Sequence, residues 1–203
     1  MKKQVIAAAV MCTLLSGAAI AQQAKEGPWM VRARAVHIDS ANGDSTGLDL
    51  SVNNKTIPEV DISYFFNKNV AVELILTVPQ KHTLSAGGTP IGSLRHLPPT
   101  LTAQYHFDMQ SVKPYVGAGI NYTRFSSVNF DPAVVTALHP SIDKNSFGLA
   151  LQVGVDIPVG KNMFLNFDVK KAYIRTDVAS SGVKVGTFKV DPVLVGVGLG
   201  WRF

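Results

Sequence analysis

Between Gln22 and Phe203 the chain has no cysteine, since its single one is Cys12. Disulfides and thiolate chemistry are therefore excluded from the main body. Charged residues make up only 16% of the sequence, and no basic run is interleaved with aromatics. Removing Lys2 and Lys3, with no acidic residue before Gln22, lowers the net charge from +5 to +3. That excess is too small to argue for nucleic acid as a partner. No apolar run after Gln22 approaches the ~20 residues of a spanning helix. If such a chain lives in a membrane, its strands must close into a barrel.

Catalytic and metal-binding patterns are missing as well. No Gly-x-Ser-x-Gly elbow occurs, and His37, His82, His96, His106 and His139 are scattered without ligand spacing. No enzymatic activity, metal site or cofactor is expected. Gly117-Ala118-Gly119 and Gly196-Val197-Gly198 fall within strands, where close packing explains them better than a phosphate cradle does.

What is present starts with Met1-Lys2-Lys3, an uncharged stretch from Val5 to Ile20, and Ala19-Ile20-Ala21 before Gln22. This pattern predicts a cleaved signal peptide over 1–21 and a barrel over 22–203. Met11 before Cys12 stands where lipidation would want a small residue, so Cys12 leaves with the signal.

The last eleven residues set the class. Val193, Val195, Val197, Leu199, Trp201 and Phe203 share one face of a strand, while Leu194, Gly196, Gly198, Gly200 and Arg202 share the other. A run of glycine inside a strand is unfavourable unless something must fit closely against it. Aliphatics toward lipid and aromatics at an interface describe a transmembrane barrel strand.

Seven further alternating segments precede it, near Trp29 to Ile38, Thr56 to Phe66, Val70 to Val78, Leu97 to Phe107, Pro114 to Phe125, Ser146 to Ile157 and Phe164 to Thr176, and the closing strand itself runs from Phe188 to Phe203. The connectors alternate long and short, which predicts an all-β, eight-stranded antiparallel transmembrane barrel of the outer-membrane type. Both termini then lie on the periplasmic, short-turn side. Trp29, Tyr64, Phe66, Tyr105, Phe107, Trp201 and Phe203 cluster at that rim as an aromatic girdle. Lys171 is the one outward charge, late in the seventh strand, from which it can snorkel.

The inward faces carry the charges. Arg32, Arg34, Asp61, Glu73, Asp168 and Lys170 fall at similar depth when counted from the turns. Side chains just fill an eight-stranded lumen, so these groups should pair into a charged floor and exclude a free aqueous pore. Leu97-Pro98-Pro99-Thr100 removes two amide donors from a ladder that should be continuous, a candidate lateral gap, and Pro58 marks a second weak point.

These residues are familiar in combination. Leu97 to Phe107, Lys113 to Thr123, Phe147-Gly148, Gln152-Val153-Gly154, Asn166 to Lys170, Asp191-Pro192 and Trp201-Arg202-Phe203 resemble the outer membrane protein W (OmpW) family over essentially the whole mature chain. The paired prolines are the most specific element, and Lys171 departs from the aromatic or aliphatic residue anticipated there. The resemblance implies a narrow apolar upper lumen that admits small hydrophobic molecules and passes them sideways into the membrane. On that reading Pro98 and Pro99 form the lateral gate, and Val134, Val135 and Leu138, with Ala137, fold over the mouth. Gly198, Trp201 and Phe203 resemble the signal by which the outer-membrane assembly machinery recognises its substrates. The implied partners are membrane lipid, lipopolysaccharide and small hydrophobic solutes, in the outer membrane of a Gram-negative bacterium. A receptor barrel whose loops bind an external partner without transport is the alternative.

Overall fold

The computed structural model describes residues 27–203, so the signal peptide expected at 1–21 lies outside the described residues. From the amino end come β1 (Trp29–Asp39), β2 (Gly43–Asp44), β3 (Leu50–Val52), β4 (Lys55–Phe65) and β5 (Val70–Thr77). β6 (Gln80–Ala86), β7 (Thr89–Leu97), β8 (Thr100–His106) and β9 (Lys113–Phe130) lead to one short helix, α1 (Pro132–Leu138). β10 (Pro140–Ile142), β11 (Asn145–Gly160), β12 (Met163–Ala172), β13 (Arg175–Ser180), β14 (Val183–Lys189) and β15 (Val193–Arg202) follow.

Eight of these strands close a ring in the order β1, β4, β5, β8, β9, β11, β12 and β15, with β15 returning to β1. Every pairing is antiparallel. The ring has no free edge, so all backbone donors and acceptors along its lower part are satisfied without water. No helix among the described residues is long and apolar enough to cross a membrane. The strands instead show the alternation of a wall between lipid and a packed lumen: β1 reads exposed, buried, exposed from Trp29 to Asp39, and β8 does the same.

The outward residues of β5, β8, β11 and β15 include Leu74, Leu76, Leu101, Leu149, Leu151, Val195 and Val197, all of them exposed. So much apolar surface on a water-soluble domain would be an aggregation site, whereas in a bilayer it is the solvated face. The girdle residues make edge contacts at one rim: Trp29 with Tyr64 at 4.9 Å, Tyr64 with Phe66 at 5.2 Å, and Tyr105 with Phe107 at 5.1 Å between ring centroids.

The long connectors are more ordered than their sequence indicates. β6 and β7 continue the wall upward from β5 and β8, with β3 at one flank and the upper part of β9 at the other. β2, β10, β13 and β14 form a second sheet. The predicted seventh and eighth strands each break: β12 stops at Ala172, β13 resumes at Arg175, and Val190 to Pro192 separates β14 from β15. Asp191 organises that break. Its carboxylate accepts the Ile174 amide at 2.9 Å and pairs with Arg175 at 3.2 Å, while its carbonyl accepts the Lys171 ammonium. Lys171 therefore binds protein backbone, which explains its place on an otherwise apolar face.

Candidate functional site

The six charged residues expected at one depth do meet. Alternation sends Arg32 and Arg34 of β1 inward, and register places Arg32 beside Asp61 and Arg34 beside Glu59 on β4. Arg32 pairs with Glu73 at 2.8 Å and with Asp156 at 2.6 Å. Arg34 lies 2.6 Å from Asp61, 3.1 Å from Glu59 and 3.5 Å from Glu73. Lys170 contacts Glu59 and lies 3.2 Å from Asp168. All eight of these side chains are buried.

Three cations thus face five carboxylates, and neutral donors supply the rest. Gln104 and Gln152 donate to Glu73 at 2.7 and 2.9 Å, Tyr115 donates to Asp168 at 2.7 Å, and Asn166 donates to Asp156 at 2.8 Å. Asp61 is the least satisfied, touching Arg34 but accepting no well-directed hydrogen bond. Glu59 and Asp156 complete the floor, pairing with Arg34 and Arg32 beyond the six residues expected at one depth. Tyr115 and Asn166 are further members, signalled only by facing inward at the level of the charges.

The glycine face of β15 is explained by this floor. A Cβ at Gly200 would sit 3.1 Å from Arg32 Cγ, and one at Gly196 would sit 3.4 Å from Arg34 Cδ. Gly198 is different, because its Cβ would strike the Ala33 carbonyl at 2.0 Å, so close strand approach alone accounts for it. Trp201 and Phe203 are exposed at the rim, and the Phe203 and Trp29 backbones exchange hydrogen bonds of 2.9 and 3.1 Å. A Cβ at Gly154 would lie 2.4 Å from the Tyr115 ring. Gly154→Ala is expected to push Tyr115 off Asp168 and lower stability by about 1 to 3 kcal/mol, read from urea titration of the vesicle-inserted protein. An unchanged midpoint would mean the ring has room to move.

Above the floor the lining turns apolar. A narrow cavity is bounded by Ile38, Ile57, Ile75, Ala150, Ile174 and Leu194, with Glu59 and Lys170 at its base. The space above it is capped by a buried cluster containing Leu50, Val52, Leu84, Leu94, Phe125, Ile174 and Phe188. This cap replaces the mouth lining expected from Val134, Val135 and Leu138. Those residues lie on α1, which buries no side chain, and Val135 and Leu138 are each 42% exposed. Asp131 caps the helix with Pro132 behind it, so the segment is set by its own turn chemistry and stands outside the cavity lining.

The wall of this cavity has two interrupted ladders. Pairing of β5 with β8 ends at Ile75 opposite Thr100 and resumes as β6 with β7 at Gln80 opposite His96. Pairing of β4 with β5 ends at Glu59 opposite Thr77, and the next strand pair on that side is Val52 opposite Leu84. Pro58, Pro79, Pro98 and Pro99 all lie in these gaps, none of them able to donate an amide proton. Ile57, Thr77 and Pro98 border the break and the cavity together.

Just beyond the apolar band, Lys81, Arg95 and Arg124 face outward, so β6 and β7 begin where the hydrocarbon ends. There His82 and His96 stack with centroids 4.5 Å apart, both buried. Burial, helped by the neighbouring His82 and Lys55, pushes His96 down to about 3, and burial also lowers His82. Neutral imidazoles therefore stabilise the fold above the unfolded value near 6.5, and that contribution is lost as pH falls from there toward 3. The ring signals of His96 in an NMR titration are expected to stay neutral down to pH 5. Protonation near 6.5 would contradict the burial.

An eight-stranded closed barrel with a lipid-facing exterior, an aromatic rim and a plugged lower lumen defines an outer-membrane barrel protein. The chain belongs to the OmpW family, whose profile matches residues 24–203. It is 41% identical over 187 residues to an uncharacterized outer-membrane protein, y4mB, of Sinorhizobium fredii, covering 87% of this chain and 80% of that one. It is 35% identical to outer membrane protein W of Escherichia coli over the full length of both. A Pseudomonas aeruginosa relative named as the dibenzothiophene metabolism operon protein PahQ is 28% identical, over 89% of this chain and 90% of that one. The crystal structure of OprG from Pseudomonas aeruginosa superposes with a TM-score of 0.76 at 25% identity, covering 91% and 99% of the two chains. The relatives place the chain in a family of Gram-negative outer-membrane barrels.

Proposed function

We propose that this barrel is a passive conduit for small hydrophobic molecules. Solute enters from outside between the long loops, rests in the apolar cavity above the charged floor, and leaves sideways through the wall into the membrane. The observation that carries this reading is the coincidence of the cavity with the two broken ladders at Pro58, Pro79, Pro98 and Pro99. Axial exit is opposed by the floor, where every route downward crosses buried, paired charge. Apolar solutes cross a polar leaflet poorly and partition well into hydrocarbon, so no energy source is required. The relative named for dibenzothiophene metabolism sits beside an apolar aromatic compound in its own operon name, which agrees with an apolar cargo.

The long-loop end faces outward and both termini face the periplasm in this proposal. Lys55, Lys81, Arg95 and Arg124 gather at one level on that end, where the phosphates of lipopolysaccharide would meet them. Gly198, Trp201 and Phe203 at the opposite rim serve recognition by the assembly machinery, and residues 1–21 act as the cleaved signal. The packed apolar cap favours a second reading, a barrel that stays shut and only displays its loops. Vesicles with lipopolysaccharide in their outer leaflet decide between them. Protein-bearing vesicles are expected to take up an apolar fluorescent dye faster than empty ones, and equal rates would overturn the conduit.

A further inference from the structure

Within the cavity, every polar side chain except one is already engaged. Glu59 and Lys170 hold each other at the base. Thr77 donates to the Pro58 carbonyl at 2.9 Å, and Thr100 donates to the Pro98 carbonyl at 3.2 Å. Asn121 donates to Thr100 at 2.8 Å and accepts from Thr123 at 2.7 Å. His96 also lines the cavity and is 2% exposed, and its Nδ1 is buried without a hydrogen-bond partner.

Its ring is nevertheless held in place. It stacks on His82 at 4.5 Å and meets the Phe125 ring edge-on at 6.4 Å. His82 is anchored in turn by Nδ1, which donates to the Asn53 carbonyl at 2.9 Å. A neutral imidazole carries one donor nitrogen and one acceptor nitrogen. Leaving a polar nitrogen buried and unpaired is unfavourable, and a partner in the cavity would recover part of that loss.

Given the conduit reading, on which this inference rests, we infer that His96 selects apolar molecules carrying a single hydroxyl group, such as an alkyl or aryl alcohol. A hydroxyl can donate to one imidazole nitrogen or accept from the other, and the remainder of the molecule packs against Ile38, Ile57, Ile75 and Leu194. A carboxylate or ammonium finds no free counter-charge, because Lys170 and Glu59 are already paired. A plain hydrocarbon fits the same walls but leaves His96 unpaired.

The test compares p-cresol with p-xylene, which differ by one hydroxyl in place of one methyl, on the full barrel in lipid nanodiscs, with empty nanodiscs as the partition reference. After that correction p-cresol is expected to bind about 3- to 10-fold more tightly, the worth of one added hydrogen bond. It should also shift the ring ¹⁵N signals of His96, while p-xylene leaves them in place. His96→Phe should remove the preference and keep p-xylene binding. His96→Gln, which retains a donor and an acceptor, should keep the preference and guards against a variant that merely misfolds. Equal binding of both probes with unmoved His96 signals would overturn the selectivity and leave the conduit intact. Binding of neither would overturn both.

Discussion

Arg32→Ala is expected to produce the largest loss of stability of any single change in the lumen. Arg32 is fully buried and bridges Glu73 and Asp156, and it also donates to Ser63 at 2.8 Å. Removing one partner of a buried ion pair leaves the other charge stranded, a loss of about 3 to 5 kcal/mol. Here two carboxylates are stranded at once, with neighbours Gln104 and Asn166 able to offset only part of the loss. Urea titration in vesicles and heat-dependent gel mobility should both move to lower midpoints. Ion conductance across a planar bilayer should rise as well, because the void left beside Gly200 lies in the plane of the floor.

Asp61→Asn provides the contrast. Asp61 is equally buried, but its oxygens accept no well-directed hydrogen bond, and five carboxylates already outnumber the three cations around it. Neutralising it removes repulsion as well as one contact to Arg34. Its midpoint is therefore expected within about 1 kcal/mol of the parent, since the carboxylate repulsion relieved offsets the lost contact to Arg34. A loss matching that of Arg32→Ala would show that the floor does not behave as a network with surplus negative charge.

Much of this was legible in the chain because a barrel strand has a period of two. Once Trp29 and Phe203 are placed at one rim, counting inward brings Arg32, Arg34, Asp61, Glu73, Asp168 and Lys170 together, as the contacts bear out. Glu59, directly opposite Arg34, and Asp156, which reaches Arg32 from β11, extend the floor beyond those six. Tyr115 gave less signal, since a tyrosine near the start of a strand looks like a girdle residue; Gly154 opposite it is what admits its ring. The cap was not readable at all. Leu50 to Val52 is too short to show a period, and it acquires an apolar role only by pairing with Leu84 to Ala86. Val134, Val135 and Leu138 looked suited to the mouth by composition, yet composition does not decide where a seven-residue helix is carried.

The second large effect concerns the wall. Replacing Pro98 and Pro99 together by valine restores two amide donors and adds β-branched side chains suited to a ladder. The Pro99 carbonyl already accepts the Tyr122 amide at 3.1 Å, so the β9 side needs no rearrangement. The new donor at 98 can extend pairing from Thr100 toward His96, opposite Thr77 and Val78. Residue 99 turns its backbone toward β9, so only the amide at 98 faces the gap, and one added bond at about 1 kcal/mol slows an opening step by roughly fivefold. The folded fraction should be unchanged, because the substitutions add pairing and remove no contact from the floor.

Sideways release at the prolines is tested most directly by the rate of apolar dye uptake into lipopolysaccharide-bearing vesicles, measured side by side for the parent and for Pro98→Val/Pro99→Val at equal folded protein. Uptake by the double variant should fall about fivefold toward the empty-vesicle rate. Uptake at the parent rate, with the variant folded, would contradict lateral exit through the wall.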